Sequence, residues 1–164
     1  MLNDKKIIIQ KSSKDKIDLC VINLFNTEFG KTYYPSLYFL KNILYKAMEK
    51  DFVYIAKYNE KIVGFIWFSK CNMFGEFPYL NLIFVFEKFR GIGIGTELLH
   101  FFETKVIEIC KKPKLKLFLV VKDENHNAIS FYEKNKYYSI GIIKGLFRAS
   151  INEILMMKEI NYKF

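Results

Sequence analysis

Residues 79–110, YLNLIFVFEKFRGIGIGTELLHFFETKVIEIC, constrain this chain more than any other stretch. The first eight residues carry one polar side chain, Asn81. A short apolar run that includes Ile83 and Val85 reads as a strand buried on both faces. After Glu87-Lys88-Phe89 comes Arg90-Gly91-Ile92-Gly93-Ile94-Gly95, and then a helical pattern. Leu98, Leu99, Phe102, Val106, Ile109 and Cys110 share one face of that helix, while Glu97, Glu103, Lys105 and Glu108 lie off it. Strand, glycine turn and helix together make an anion site. The first N–H groups of the helix have no intrahelical partner, and three glycines remove the side chains that would block a phosphate.

Two familiar anion loops do not fit. A P-loop places Lys-Ser/Thr after its last glycine, and here Thr96-Glu97 follows Gly95. The dinucleotide fingerprint needs G-x-G-x-x-G directly off the strand. This loop instead has Thr96 in place of the third glycine and four residues between strand and loop.

In chain order, residues 6–10 (KIIIQ) read as a first strand. Ser12 or Ser13 caps a helix whose buried face is Ile17, Val21, Leu24 and Phe25, ending near Gly30. Residues 31–34 form a connection. Pro35 suits the first turn of a second helix with the stripe Leu37, Leu40, Leu44 and Met48. Residues 52–57 and 62–69 are strands joined by a hairpin turn at 58–61. Residues 71–78 are a loop leading into the organising strand. Beyond the central helix, Pro113 marks a stop and residues 115–121 a strand, parallel to 79–86 because a helix separates the two. Residues 123–136 are helical with Asn125 as a cap, and residues 137–143 and 153–160 are the last strands around a loop at 144–152. The order β-α-α-β-β-β-α-β-α-β-β predicts an α/β sandwich, a mixed sheet with helices on both faces.

A chain of 164 residues, 51% hydrophobic and 26% charged, is sized and composed as one globular domain, 1–164. No apolar run approaches the ~20 residues of a membrane span, and the N-terminus lacks a signal-peptide core, so no membrane partner is expected. Cys20, Cys71 and Cys110 are odd in number and lack C-x-x-C pairing, which predicts reduced thiols and a cytoplasmic location. Three scattered cysteines and two histidines make no metal cluster. The net charge of +9 invites a nucleic-acid reading. The lysines are spread along the chain, however, and Lys, Asn, Ile, Phe and Tyr all have A/T-rich codons, so nucleic acid is not an expected partner. A positive field still favours an anionic ligand.

Val85, Arg90, Gly93 and Gly95 match a V-x-P-x-x-(R/Q)-x-x-G-x-(G/A) pattern at a strand-to-helix junction, with Glu87 where proline is frequent. Asn125-x-x-Ala128-Ile129-x-Phe131-Tyr132-Glu133-Lys134 is similar to an N-x-x-A-x-x-(F/L)-Y-E-K segment just after the fifth strand. On these two motifs and the element order, nearly the whole chain resembles the GNAT superfamily of N-acetyltransferases. One departure is Lys136-Tyr137, where the family usually has Gly-Phe. A lysine in a left-handed cap is strained by ~1 kcal/mol or more. Asn135 could carry that conformation instead.

The resemblance implies a GNAT-type, mostly antiparallel central sheet in which the parallel fourth and fifth strands splay apart. It implies an acyltransferase of the class moving groups other than aminoacyl, with acetyl-CoA as cosubstrate and no metal. The acceptor is a primary amine on a small molecule or peptide, attacking directly in a ternary complex, and the chain is a monomer or homodimer. The backbone of Ile83, Phe84 and Val85 pairs with the pantetheine arm as an added strand. Beside Arg90, the N–H groups of Gly91, Ile92, Gly93, Ile94, Gly95 and Thr96 take the pyrophosphate. Tyr132 gives a proton to the coenzyme A sulfur and the Val85 N–H meets the oxyanion. The spacing of Tyr132 from Ala128 and Ile129 also permits a buried aromatic of an amphipathic helix, but the motif around it favours the catalytic role, and Asn125 is an N-cap, a ligand or both. Family segments at 25–34 and 144–152 set acceptor choice, which points to Glu28, Phe29 and Tyr33. Neither 79–86 nor 114–121 contains an acid, which leaves Glu76 or Glu28 as a base, or water. The missing strand carboxylate also suits an alternative, a non-catalytic acyl-CoA-binding sensor or structural subunit.

Overall fold

The computed structural model describes residues 7–162, so Lys6 of the expected first strand lies outside the described residues. The elements are β1 (Ile7–Lys11), α1 (Lys14–Phe25), α2 (Glu28–Tyr33), α3 (Leu37–Lys50), β2 (Phe52–Tyr58), β3 (Lys61–Met73), β4 (Phe77–Val85), α4 (Ile94–Cys110), β5 (Lys114–Lys122), α5 (His126–Lys134), β6 (Tyr138–Lys144) and β7 (Asn152–Asn161), with a 3-10 turn at Glu87–Phe89. The seven strands form one mixed sheet in the order β1-β2-β3-β4-β5-β7-β6. Its β4–β5 pairing is parallel, and β1–β2, β2–β3, β5–β7 and β6–β7 are antiparallel. Among the described residues no helix is long and apolar enough to cross a membrane.

The described residues group into two compact units. One comprises 7–68 and 82–102, the other 69–81 and 103–162. In the first, Ile17, Cys20, Val21 and Leu24 of α1 and Leu40 and Leu44 of α3 bury against Val53, Ile55, Phe65 and Phe84. Strand side chains alternate between faces, so Tyr54 and Phe68 point the other way, where they meet Phe101 and Phe102 of α4 at 4.6 and 5.0 Å. Helices therefore cover both faces of this part of the sheet. In the second unit β5 and β7 pair along their whole length, from Lys114↔Asn161 to Lys122↔Glu153. Glu103 of α4, expected on the exposed face, instead accepts two bonds from Lys158 of β7, at 2.7 and 2.8 Å.

Three sequence expectations need correction. The stretch after α1 is not an open connection but a helical turn, α2. Thr27 Oγ1 accepts from Gly30 N at 3.0 Å, and a Cβ on Gly30 would lie 2.1 Å from Leu24 O, so glycine permits a close approach there. Pro35 stands just outside α3, because Ser36 is the cap, accepting from Phe39 N at 3.1 Å. The β3–β4 connection shrinks from the expected 71–78 to the tight turn Phe74-Gly75-Glu76, where Phe74 and Gly75 have φ of 55° and 73°.

The end of α5 settles the Lys136 question. Lys136 itself takes the left-handed conformation, with φ of 71°, while Asn135 stays at φ −92°. Lys136 N donates to Glu133 O at 2.9 Å and Tyr137 N to Tyr132 O at 3.0 Å, the two bonds of a Schellman cap. The Tyr132 and Tyr137 rings meet at 5.8 Å and supply its hydrophobic contact. Lys136→Gly is expected to stabilise the chain by about 1 kcal/mol, read as a higher urea midpoint at constant slope, whereas Lys136→Ala keeps the strain and gains nothing. An unmoved midpoint in the glycine variant would show that the cap stores no strain.

Candidate active site

The glycine loop is built by what lies on either side of it. At the end of β4, Phe86 N donates to Val63 O at 2.8 Å, which ties the strand to β3. The chain then closes a single 3-10 turn, with Phe89 N on Phe86 O at 2.8 Å and Arg90 N on Glu87 O at 3.2 Å. Gly91 and Gly93 have φ of 77° and 93°, a region costly for other residues. A Cβ built on either meets nothing within 4 Å, so the space in front of both is open. Gly93 O accepts the first helical bond, from Glu97 N at 3.0 Å, which leaves the N–H groups of Ile94, Gly95 and Thr96 without a helical partner. The two isoleucines divide the work: Ile94 is buried and anchors the first turn, while Ile92 is 51% exposed. A 17-residue helix begins here, so its positive end faces the same opening.

Arg90 folds back onto the strand. Its Nε donates to Val85 O at 3.0 Å and its guanidinium lies 5.9 Å from the Phe84 ring centroid. The arginine thus holds the carbonyl of the residue whose N–H was expected to meet an oxyanion. Gly64 escaped the sequence reading. A Cβ there would lie 2.4 Å from Phe84 O, so only glycine lets β3 close on the strand end that carries Phe84 and Val85. An isolated glycine inside a strand pattern is the signal that could have found it.

The parallel register joins Tyr79 to Phe118 and Leu80 to Leu119, and β4 runs on past these pairs to Val85. Its second half is not buried on both faces as expected: Leu82, Ile83 and Val85 are half-buried and only Phe84 is buried.

In the second unit Asn125 is the cap of α5, its Oδ1 accepting from Ala128 N at 3.2 Å. Tyr132 is the one buried residue of that helix and packs against Phe131 at 5.2 Å and Tyr137 at 5.8 Å. Burial first, and the Tyr79 phenol second, push its hydroxyl well above the usual tyrosine value. Burial and the nearby Glu103 charge do the same to Tyr137. His126 is exposed.

The candidate bases and acceptor residues stand as follows. Glu76 occupies the β3–β4 turn, ahead of the first residue of β4, whereas Val85 is the last. Its carboxylate pairs with Lys112 at 3.1 Å and borders a cavity of about 230 Å³ shared with Lys70, Phe77, Cys110 and Lys114. It is therefore engaged with a lysine, at the opposite end of β4 from Val85. Neither β4 nor β5 holds an acid along its observed length. The only acid buried among the described residues is Glu153, at the start of β7 opposite Lys122. Glu28 is exposed in the first turn of α2, where the Phe29 ring meets Tyr33 at a tilt of 33° and 4.6 Å and Tyr34 edge-on at 6.4 Å. Burial pushes the Tyr34 hydroxyl up to about 12. No group of three His, Cys, Asp or Glu among the described residues could hold a metal ion.

A mixed sheet with one parallel pair, and a glycine turn opening a long helix after that pair's first strand and a 3-10 turn, make up an α/β fold. Residues 20–137 match the Acetyltransferase (GNAT) family, and the chain belongs to it. The chain is 30% identical over 156 residues to the uncharacterized N-acetyltransferase MJ1207 of Methanocaldococcus jannaschii; that match covers 88% of this chain and 66% of that protein. Among solved structures, Ard1 of Thermoplasma volcanium superposes with a TM-score of 0.77 at 22% identity, covering 95% of this chain and 99% of that one. A GNAT family acetyltransferase of Elizabethkingia anophelis, solved with acetyl-CoA bound, superposes with a TM-score of 0.67 at 21% identity, covering 96% and 100%.

Proposed function

We propose that this chain is a single-domain, cytoplasmic N-acetyltransferase that moves an acetyl group from acetyl-CoA to a primary amine of a small molecule or peptide. The observation that carries this reading is the open pair of left-handed glycines, Gly91 and Gly93, before α4. A cradle that a Cβ would fill, facing unpartnered helical N–H groups, fits a pyrophosphate. Within it the N–H groups of Gly91 to Thr96 bind phosphate oxygens, with the Arg90 charge beside them. The half-buried Ile83 and Val85 flank Phe84 in the strand backbone that pairs with the pantetheine amides.

The acceptor's neutral amine attacks the thioester carbonyl, forming the C–N bond while the C–S bond breaks. The Val85 N–H stabilises the oxyanion and Tyr132 gives its proton to the leaving sulfur. Asn125 fixes the start of the helix that carries Tyr132, and direct attack needs no acyl-enzyme. Cys20 is buried, its thiol pushed up to about 12, so it is no nucleophile. The adjoining rings of Phe29 and Tyr33, with Glu28 beside them, favour acceptors carrying a flat apolar or cationic flank near the amine. Release of coenzyme A with a panel of polyamines, amino acids, aminoglycosides and peptide N-termini tests the reading. Saturable acetyl-CoA binding with no transfer to any of them would favour a non-catalytic acyl-CoA sensor.

With no acid on β4 or β5, the acceptor's proton leaves through water and backbone carbonyls. The log of kcat/KM is then expected to climb with unit slope to the free amine's own pKa, and to track that pKa across similar acceptors. A carboxylate base would give one fixed inflection for every acceptor. Such an inflection, if lost in Glu76→Gln, would make Glu76 the base. If it survived that change, Glu153 would be the next acid to replace.

A further inference from the structure

One ring away from Tyr132 lies an ion pair that the acyl-transfer reading does not use. Lys158 of β7 donates to both carboxylate oxygens of Glu103 on α4, at 2.7 and 2.8 Å. The pair is largely withdrawn from water, with the lysine side chain 18% and the glutamate 13% exposed. Taking two charges out of water is costly, and replacing such a pair with apolar residues of similar volume is often neutral or stabilising. Stability alone is therefore a weak reason for its presence. The Lys105–Glu108 and Lys116–Glu159 pairs of the same unit reach well into solvent and pose no such question. What the buried pair touches is Tyr137. Lys158 Nζ lies over the Tyr137 ring, 5.5 Å from its centroid, within reach of a cation–π contact. The buried Tyr137 hydroxyl makes no bond of full hydrogen-bond geometry, yet burial first, and the Glu103 charge second, hold it protonated. The lysine thus acts on the face of the ring and the carboxylate on its hydroxyl, and together they fix its orientation. Tyr137 in turn meets Tyr132 edge to face at 5.8 Å and 65°, and its N–H donates to the Tyr132 carbonyl at 3.0 Å. The Tyr132 hydroxyl itself answers to burial and then to the Tyr79 phenol, so the ion pair reaches Tyr132 through the Tyr137 ring.

We propose that Glu103, Lys158 and Tyr137 are positioning residues for Tyr132, a brace that aims its hydroxyl at the leaving sulfur. The inference rests on Tyr132 being the acid of the acyl transfer. Its parts come from α4, from β7 and from the residue that follows the left-handed Lys136, so the aim is set by tertiary packing and not by α5 alone. An acid misplaced by about 1 Å can cost roughly 100-fold in rate. Acetyl-CoA, held by the β4 backbone and the glycine loop, is bound as before. The brace therefore acts on kcat and not on acetyl-CoA affinity.

Glu103→Met together with Lys158→Met removes both charges, strands neither and nearly keeps the volume, so the fold and its Tm are expected to persist. The kcat for coenzyme A release is expected to fall about 10- to 100-fold at an unchanged KM for acetyl-CoA. Tyr137→Phe, which keeps the ring and drops only the hydroxyl that Glu103 acts on, should lower kcat in the same direction. Glu108→Gln, which breaks an exposed pair of 2.8 Å on the same helix, should leave kcat alone. In a Tyr132→Phe background the paired replacement should cost nothing further, because groups that act through one another are not additive. The same factor lost in both backgrounds, or a kcat within about twofold of wild type in the paired replacement, would overturn the proposal. An unchanged kcat in Tyr132→Phe alone would instead bring down the acid itself, and the brace with it. A magnetic resonance readout needs no turnover. In protein isotope-labelled at tyrosine Cζ, the Tyr132 line, identified by its loss in Tyr132→Phe, should move in the paired replacement and stay in place in Glu108→Gln. A Tyr132 line that does not move in the paired replacement would show that the ring keeps its place without the brace.

Discussion

Tyr132→Phe is expected to lower kcat roughly 10- to 1,000-fold while leaving acetyl-CoA affinity nearly unchanged. The substitution keeps the ring, and with it the contacts to Phe131 and Tyr137 that fill this part of the second unit. It removes only the hydroxyl. That hydroxyl suits an acid because burial, and then the Tyr79 phenol, hold its pKa well above the usual 10. The neutral, proton-bearing form therefore persists across the working range, and no loss of kcat from Tyr132 ionisation is expected below about pH 10. The sign for stability follows from the same shift. A group raised on folding contributes stability that is present below its unfolded pKa and lost as pH rises above it, so this contribution fades on the alkaline side. Tyr132→Phe should accordingly soften alkaline unfolding while it slows catalysis, and a purely structural aromatic would show only the first effect. An unchanged kcat, with chemistry shown to be rate-limiting, would remove Tyr132 from the mechanism.

What could be read from the sequence was whatever has a local cause. The glycine loop was legible because positive φ and open space demand glycine at Gly91 and Gly93, and because Ile94, Leu98, Leu99, Phe102 and Val106 keep a helical period. The hairpin at Asn59 and Glu60 was legible from its turn residues, and both do adopt positive φ. What could not be read depended on partners far along the chain. Gly30 looked like a helix end, because its reason for being glycine is the Leu24 carbonyl packed against it. Gly64 looked like an ordinary strand residue until the Phe84 carbonyl appeared opposite. Glu103 looked solvent-facing until Lys158, 55 residues later, reached it. Arg90 was expected beside the pyrophosphate from the resemblance, and its contacts to the Val85 carbonyl and the Phe84 ring were not foreseen.

Lys136 shows how a local rule can point to the wrong residue. Left-handed caps favour glycine or asparagine, which made Asn135 the natural choice. The register of the cap is fixed instead by the Tyr132–Tyr137 contact and the bond between their backbones, and that places Lys136 at the left-handed position. The Asn135 side chain is occupied elsewhere, donating to Phe131 O at 2.8 Å. Packing of Tyr132, the proposed acid, thus outweighs the ~1 kcal/mol of backbone preference.

Gly93→Val is expected to abolish the response to acetyl-CoA without unfolding the chain. A ligand that binds only the folded state stabilises it by mass action, about 2.7 kcal/mol at one hundred times its Kd. For a chain of this size that corresponds to a Tm rise of roughly 5–10 °C. ATP and NAD, which lack the pantetheine arm that β4 would pair with, should leave Tm unchanged. At Gly93, a valine meets no protein atom at its Cβ, so steric overlap with the fold is not the cost; the cost is the φ of 93°. That strain is about 1–2 kcal/mol, small beside the burial of Leu98, Leu99, Phe102 and Val106, which hold the helix in place. The branched side chain instead fills the opening onto which Ile94, Gly95 and Thr96 turn their free N–H groups. Gly93→Ala separates the two effects, because it pays the same backbone strain with one methyl group and should keep part of the shift. If the valine variant folds and still gains stability from acetyl-CoA, the pyrophosphate does not sit on this loop and the reading of the whole 91–96 stretch fails.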